Sequence, residues 1–152
     1  MKEVARMQEH LLLIRRTVGW TAEEFGDRIG VTRQTINNIE SGRNRLTKTQ
    51  YIAMRSVLDA EMARSPEDTK MLQALLEILV DNPDKYKTTD REKVLSKANM
   101  LAPSILSKAS SRKEVSREFL ISASKIIGVT TLTMMGMISC WLSKIVDEDN
   151  DK

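Results

Sequence analysis

Apolar residues recur at helical spacing along most of the chain. The first such pattern begins near Met7 and ends at Gly19, a residue suited to the left-handed end of a helix. Three further short patterns follow, each preceded by a threonine in the position of an N-cap, and the last is expected to end near Asp59. The three threonines are Thr21, Thr32 and Thr47. The first part of the chain therefore predicts four short helices joined by tight turns.

Helical spacing continues after residue 62. Ser65 and Pro66 are suited to the cap and first turn of a helix that ends before Asn82. A second helix is predicted over residues 89–102, because Pro103 is expected to stop it, and a third over residues 111–127. We therefore predict an N-terminal domain at residues 1–62 and a helical C-terminal module at residues 63–152.

The last apolar pattern predicts a strongly apolar helix over residues 126–146. One of its faces would carry large apolar side chains, which we interpret as an oligomer interface in a helical bundle. These candidates are Ile127, Met134, Ile138, Trp141 and Ile145. The alternative interpretation is an anchor at residues 126–143 that holds the protein at the inner membrane. That stretch has no charged residue, follows basic residues and precedes an acidic tail.

Composition favours helices throughout and argues against an enzyme. Aromatic residues make up only 4% of the chain, and nine methionines are available to fill a helical core, so we expect an all-α fold. Cys140 is the single cysteine, and no His or Cys cluster has the spacing of a zinc site. The N-terminus lacks an apolar core of signal-peptide length. We therefore expect a cytoplasmic protein without catalytic residues, metal or cofactor.

Residues 22–40, AEEFGDRIGVTRQTINNIE, have the spacing of two helices that cross through a tight turn. Gly26 keeps the first helix slim where the second crosses it, Gly30 permits a left-handed turn, and Ile36 fills the seam. Together with the following residues 41–47, SGRNRLT, they resemble the lambda repressor and Cro type of helix-turn-helix regulator, the XRE family. The resemblance covers residues 11 to about 59 and implies an N-terminal lambda-repressor-like bundle that binds double-stranded DNA.

The resemblance also implies roles for individual side chains. The second helix of the motif would enter the major groove, where Arg, Gln, Asn and Thr suit the edges of guanine, adenine and thymine. The base-contact candidates are Arg33, Gln34, Thr35 and Asn38. The DNA-backbone candidates are Thr21, Thr32, Arg43, Asn44, Arg45 and Lys48. Arg15 and Glu40 match positions of a structural ion pair, whereas Ala22 departs from the family because many relatives have a phosphate-binding Gln there.

The function expected from this pattern is transcriptional repression by a dimer or higher oligomer that the C-terminal helices assemble. The segment from Arg28 to Lys48 supports it, since it carries five basic residues against Glu40 alone. Activation stays open. Two further alternatives are an antitoxin that represses its own operon while it binds a partner protein, and a membrane-anchored DNA-binding regulator.

Overall fold

The computed structural model describes residues 2–138, 147–148 and 151, and these residues form an all-α fold. The N-terminal helices are α1 (Lys2–Glu9), α2 (Leu11–Val18), α3 (Ala22–Ile29), α4 (Arg33–Glu40) and α5 (Lys48–Arg64). Next come α6 (Lys70–Leu75), a π-helical segment (Leu76–Asp81) and a 3₁₀ turn (Pro83–Lys85). The last helices are α7 (Thr88–Leu106), α8 (Arg112–Ile127) and α9 (Val129–Met134).

Threonine caps begin α3, α4 and α5, and left-handed glycines end α2 and α3, as predicted, whereas the single helix predicted from near Met7 to Gly19 is divided at His10 into α1 and α2. The hydroxyl of Thr21 accepts a hydrogen bond from the Glu24 amide, and that of Thr32 accepts one from the Thr35 amide, both at 3.1 Å. Thr47 forms a full capping box with Gln50. Gly19 and Gly30 end α2 and α3 with φ angles of 85° and 80°.

Two predicted boundaries between residues 59 and 70 are wrong. Helix α5 continues past Asp59 to Arg64, and Ser65 ends it by donating its backbone N–H to the Glu61 carbonyl at 2.9 Å. Ser65 therefore caps the preceding helix at its C-terminus. The next helix begins only at Lys70, after a turn at residues 66–69.

Pro103 does not stop the seventh helix. It lies inside α7, which runs on to Leu106. The proline leaves the Asn99 carbonyl without its usual donor, but Asn99 is exposed, so water can solvate that oxygen. Burial of Ala102 and Ile105 on either side of the proline favours continuation of the helix.

The single apolar helix predicted over residues 126–146 is wrong in its described part. Helix α8 ends at Ile127, Gly128 has a φ of 92°, and α9 covers only Val129–Met134 before a turn at Gly136. Among the described residues, no helix is long and apolar enough to cross a membrane.

The same break changes the predicted oligomer face. Ile127 and Met134 do not share one helix, because Gly128 separates them. Ile127 and Ile138 are partly buried against the protein's own core, whereas the side chain of Met134 is 84% exposed. Trp141 and Ile145 lie outside the described residues.

One continuous core joins the helices before and after residue 62. Helix α2 packs against α7, α1 packs against the π-helical segment, and α6 packs against α8. A Cβ at Gly19 would lie only 3.2 Å from Ile105 Cγ2 on α7. The Arg6 Nε donates to the Val80 carbonyl at 2.6 Å. The C-terminal helices therefore form the support on which α1 and α2 rest.

Candidate nucleic-acid interface

Helices α3 and α4 are joined by a turn that requires glycine at two positions. A Cβ at Gly26 would lie 2.6 Å from the Val31 carbonyl oxygen, and the Val31 amide donates to the Gly26 carbonyl at 2.9 Å. An added Cβ would therefore collide with backbone atoms of the turn, in Val31 and Thr32. The sequence had indicated a close approach of α4 instead. Gly30 adopts the left-handed conformation that the turn needs.

Buried apolar side chains hold α4 in place. Phe25 and Ile36 are fully buried and Ile39 is 1% exposed. With the core side of α4 occupied, its first turn faces outward.

The first turns of α4 bring the predicted base-contact residues together. Arg33 and Gln34 are exposed, while Thr35 and Asn38 are partly exposed. The Gln34 Nε2 donates to Asn38 Oδ1 at 2.9 Å, so these amides support each other and each keeps one polar atom for another partner. The Thr35 hydroxyl lies 3.0 Å from the Thr32 hydroxyl. The arrangement presents a guanidinium and two amides, the groups that recognise guanine and adenine edges.

The loop after α4 carries exposed basic side chains and is held by a residue that the sequence did not reveal. Arg43, Asn44 and Arg45 are all exposed. The Gln8 side chain of α1 donates to the carbonyls of Ile39 and Asn44 at 2.9 and 2.8 Å and accepts from the Leu46 amide at 3.0 Å. In the sequence, Gln8 is an ordinary polar residue on a helix. Its hydrogen bonds to the loop are therefore visible only in the folded structure.

The remaining backbone-contact candidates lie at helix N-termini. Thr21, Thr32 and Lys48 are exposed, and the two threonines use their hydroxyl oxygens as caps. A helix N-terminus attracts phosphate through its free amides and its dipole. Ala22 is 9% exposed and packs with the core, and its methyl side chain has no hydrogen-bond donor for a phosphate. Arg28 stacks on Trp20, its guanidinium carbon 4.1 Å from the ring centroid.

Arg15 and Glu40 form a buried ion pair between α2 and α4. The Arg15 Nε lies 2.5 Å from Glu40 Oε1, and Nη2 lies 3.2 Å from Oε2. Both side chains are 9% exposed, and Arg15 Nη1 also donates to the Trp20 carbonyl at 3.0 Å. This bidentate contact fixes the end of α4 relative to α2.

Other chemistry-bearing residues do not gather into a site in the part of the chain that the structure describes. No group of three His, Cys, Asp or Glu side chains there could hold a metal ion. Burial lowers the pKa of His10, against an opposing effect of Glu9, so this imidazole is neutral at pH 7. Cys140 lies outside the described residues.

Comparison with known proteins adds one finding. Residues 11–63 match the family model described as helix-turn-helix. The matched range starts at the first residue of α2 and ends one residue before the end of α5. No curated protein and no solved structure shows significant similarity to the chain.

Proposed function

We propose, on the premise that residues 11–63 are an XRE-type helix-turn-helix domain of a DNA-binding transcription regulator, that this protein is a sequence-specific repressor. The observation that carries the proposal is the outward first turn of α4. There Arg33 and Gln34 are exposed next to a basic loop whose backbone is tied to α4 by the hydrogen bond from the Asn44 amide to the Asn38 carbonyl.

Sequence would be recognised by the side chains at the start of α4. Arg33 suits the O6 and N7 atoms of guanine, and Gln34 or Asn38 suits the N6 and N7 atoms of adenine. The Thr35 methyl suits the methyl group of thymine. Each good bidentate contact is worth about 1 to 3 kcal/mol of discrimination, so Arg33, Gln34 and Asn38 together would give a preference of several orders of magnitude.

Affinity would come mainly from phosphate contacts. The side chains of Arg43, Arg45 and Lys48 are exposed, as phosphate contacts require. Thr21, Thr32 and Asn44 add polar contacts at helix ends and in the loop. Neutralised phosphates release counterions, so binding should weaken steeply as the salt concentration rises.

Repression would follow from occupancy of a promoter by a dimer or higher oligomer. A single helix-turn-helix domain of this size makes few contacts with DNA. Two such domains that bind half-sites one helical turn apart make about twice as many. We assign the pairing of the two helix-turn-helix domains to the C-terminal module at residues 63–152. Met134 is the described interface candidate with the most exposed side chain.

The proposal is tested by DNA selection followed by equilibrium binding. The full-length chain selects duplexes from a random library, and fluorescence anisotropy then compares the selected duplex with a scrambled one at physiological salt. The Arg33→Ala/Gln34→Ala/Asn38→Ala variant is expected to lose at least 100-fold in preference for the selected duplex and to keep salt-sensitive binding to both.

A matched control removes a positive charge and an amide elsewhere. Lys93 and Asn99 are exposed on α7, and Lys93→Ala/Asn99→Ala should bind the selected duplex like the wild type. If no sequence is enriched, or the triple variant discriminates as well as the wild type, α4 does not read DNA. A reporter driven by a promoter that contains the selected site should lose expression, and increased expression would contradict repression.

A further inference from the structure

A cavity of about 640 Å³ lies between α5, the π-helical segment and α9. Its apolar lining comes from Leu76 and four methionines, Met62, Met134, Met135 and Met137. The volume falls within the range of about 300 to 1,000 Å³ that is typical of small-molecule sites. The described lining residues include none of the predicted DNA-contact side chains. This cavity is therefore separate from the nucleic-acid interface.

The charged groups that line the cavity neutralise one another. Arg55 binds Asp81 through two contacts, Nη1 to Oδ1 at 2.6 Å and Nη2 to Oδ2 at 3.1 Å. Glu77 accepts from Asn82 Nδ2 at 2.7 Å and lies 3.8 Å from Lys85 Nζ. A charged ligand would have to separate one of these pairs, at a cost that an uncharged ligand avoids.

A neutral hydrogen-bonding group stands at the edge of the apolar lining. Burial, then the charge of the Glu77 carboxylate and a hydrogen bond to it, raise the pKa of Tyr86, so its hydroxyl stays protonated at physiological pH. The hydroxyl oxygen lies 3.6 Å from the Met135 sulfur, which is a weak acceptor. Methionine side chains are flexible and polarisable, and they adapt to apolar ligands of different shape.

The backbone of the cavity wall is unusual. Residues Leu76–Asp81 form a π-helix, a conformation that is rare and is found frequently at functional sites. Three residues of this segment, Leu76, Glu77 and Asp81, line the cavity. The wider helix thus contributes both an apolar side chain and the two carboxylates to one wall.

We propose that this cavity is a binding site for an uncharged, mainly apolar small molecule. The site does not depend on DNA. Its use as the signal input of the regulator rests on the proposed function. Helix α5 offers the connection, because it carries Lys48 at its first turn and Arg55 and Met62 in the cavity wall.

The test compares two fluorescent probes that differ by one charge. The uncharged probe is N-phenyl-1-naphthylamine, and its anionic counterpart is 1-anilinonaphthalene-8-sulfonate. Both are titrated into the full-length protein without DNA. We expect the uncharged probe to bind saturably at one site per chain, at least tenfold more tightly than the sulfonate.

A pair of adjacent variants on α9 locates the site. Thr131 lines the cavity, whereas its neighbour Thr130 is exposed and does not. Thr131→Trp should fill the cavity and weaken probe binding at least tenfold, while Thr130→Trp should leave it unchanged. Circular dichroism verifies that both variants fold, and Thr131→Leu replaces the tryptophan variant if that one does not.

Three results would overturn the proposal: equal probe affinity in the two variants, binding that does not saturate, or sulfonate binding as tight as that of the uncharged probe. Since no DNA is present in the titration, failure of this proposal leaves the DNA-binding proposal standing. Failure of DNA binding equally leaves probe binding measurable.

Discussion

At the scale of single residues, the missing side chain of Gly26 decides how α3 meets the turn that leads to α4. Gly26 is buried in the middle of α3, and its Cα hydrogen faces the Val31 carbonyl, where a Cβ would stand 2.6 Å away. The nearest obstacles are backbone atoms of Val31 and Thr32, which cannot rotate away like the end of a flexible side chain. The position of α4 therefore depends on this glycine.

Gly26→Ala is predicted to destabilise the protein, although alanine favours a helix over glycine by about 1 kcal/mol. The clash with the turn should outweigh that gain and leave a net loss of about 1 to 3 kcal/mol in the free energy of unfolding. Urea denaturation measures the change. Gly30→Asn is the comparison, since asparagine tolerates the left-handed conformation and Gly30 has open space for a Cβ. A Gly26→Ala protein as stable as the wild type would contradict the packing described for the turn.

Gln8 is a second residue that determines the structure of a distant segment. It satisfies two carbonyls and one amide of the segment that carries the basic loop. Gln8→Ala should lower the affinity for the selected duplex about three- to tenfold, since the loop then loses the hydrogen bonds that order it before binding. Anisotropy titration measures this effect. Gln8→Glu keeps the acceptor for Leu46 but places a carboxylate oxygen against the carbonyls of Ile39 and Asn44 and adds a negative charge near the DNA, so its affinity should be no higher than that of Gln8→Ala. Unchanged affinity in both variants would show that Gln8 does not order the loop.

At the scale of helices, the end of α2, the end of α5 and the start of α8 meet around one carboxylate. Glu61 is 7% exposed and accepts hydrogen bonds from Arg64 and from Arg112 Nη1, the latter at 3.0 Å. The same Arg112 Nη1 donates to the Val18 carbonyl at 3.3 Å. Arg112 thereby joins the C-terminal module to the last turn of α2. Burial alone would raise the pKa of Glu61, but the two guanidinium groups reverse this effect and lower it.

This arrangement predicts a pH-dependent contribution to stability. Because the folded-state pKa of Glu61 is lowered, its contribution is complete above the ordinary pKa of a glutamate, about 4.3, and is lost as the pH falls through the folded-state value. Glu61→Gln should therefore reduce the free energy of unfolding at pH 7 by about 1 to 3 kcal/mol. The difference from the wild type should shrink below pH 4. Urea denaturation between pH 7 and pH 3 measures it, with the exposed Glu67→Gln as control. A difference that stays constant over this range would exclude the predicted role of Glu61.

Elements with local determinants could be predicted from the sequence, and elements with distant ones could not. The caps at Thr21 and Thr32 act within three residues, so their pattern is visible in the chain. The passage of α7 through Pro103 and the break at Gly128 depend on how the flanking residues are buried, which a local pattern does not contain. The candidate interface divides in the same way. The exposed residues of α4 are close together in the sequence, so they could be predicted. The contacts of Gln8 and the lining of the cavity involve residues far apart in the chain, so they could not.

At the scale of the whole molecule, helices α2 to α5 are not separated by a linker from the helices that follow. Helix α2 packs against α6 and α7, and the core side chains before and after residue 62 belong to one buried cluster. The hydrogen bonds from Arg6 to Val80 and from Arg112 to Val18 cross the same boundary. The division into residues 1–62 and 63–152 stays a prediction about function, while the packing makes the two parts depend on each other for stability.

A fragment of residues 1–64 tests this dependence. It keeps all five N-terminal helices but exposes the faces of α1 and α2 that the later helices cover, and each large apolar side chain returned to water costs about 1.5 to 3 kcal/mol. We expect the fragment to melt at a clearly lower temperature than the full chain, or without a cooperative transition, as measured by circular dichroism. Its affinity for the selected duplex should fall in proportion to the folded fraction, and duplex in excess should raise its melting temperature, because binding draws the equilibrium toward the folded state. A fragment that melts at the temperature of the full chain would mean that the N-terminal helices are stable alone and do not depend on the C-terminal helices for support.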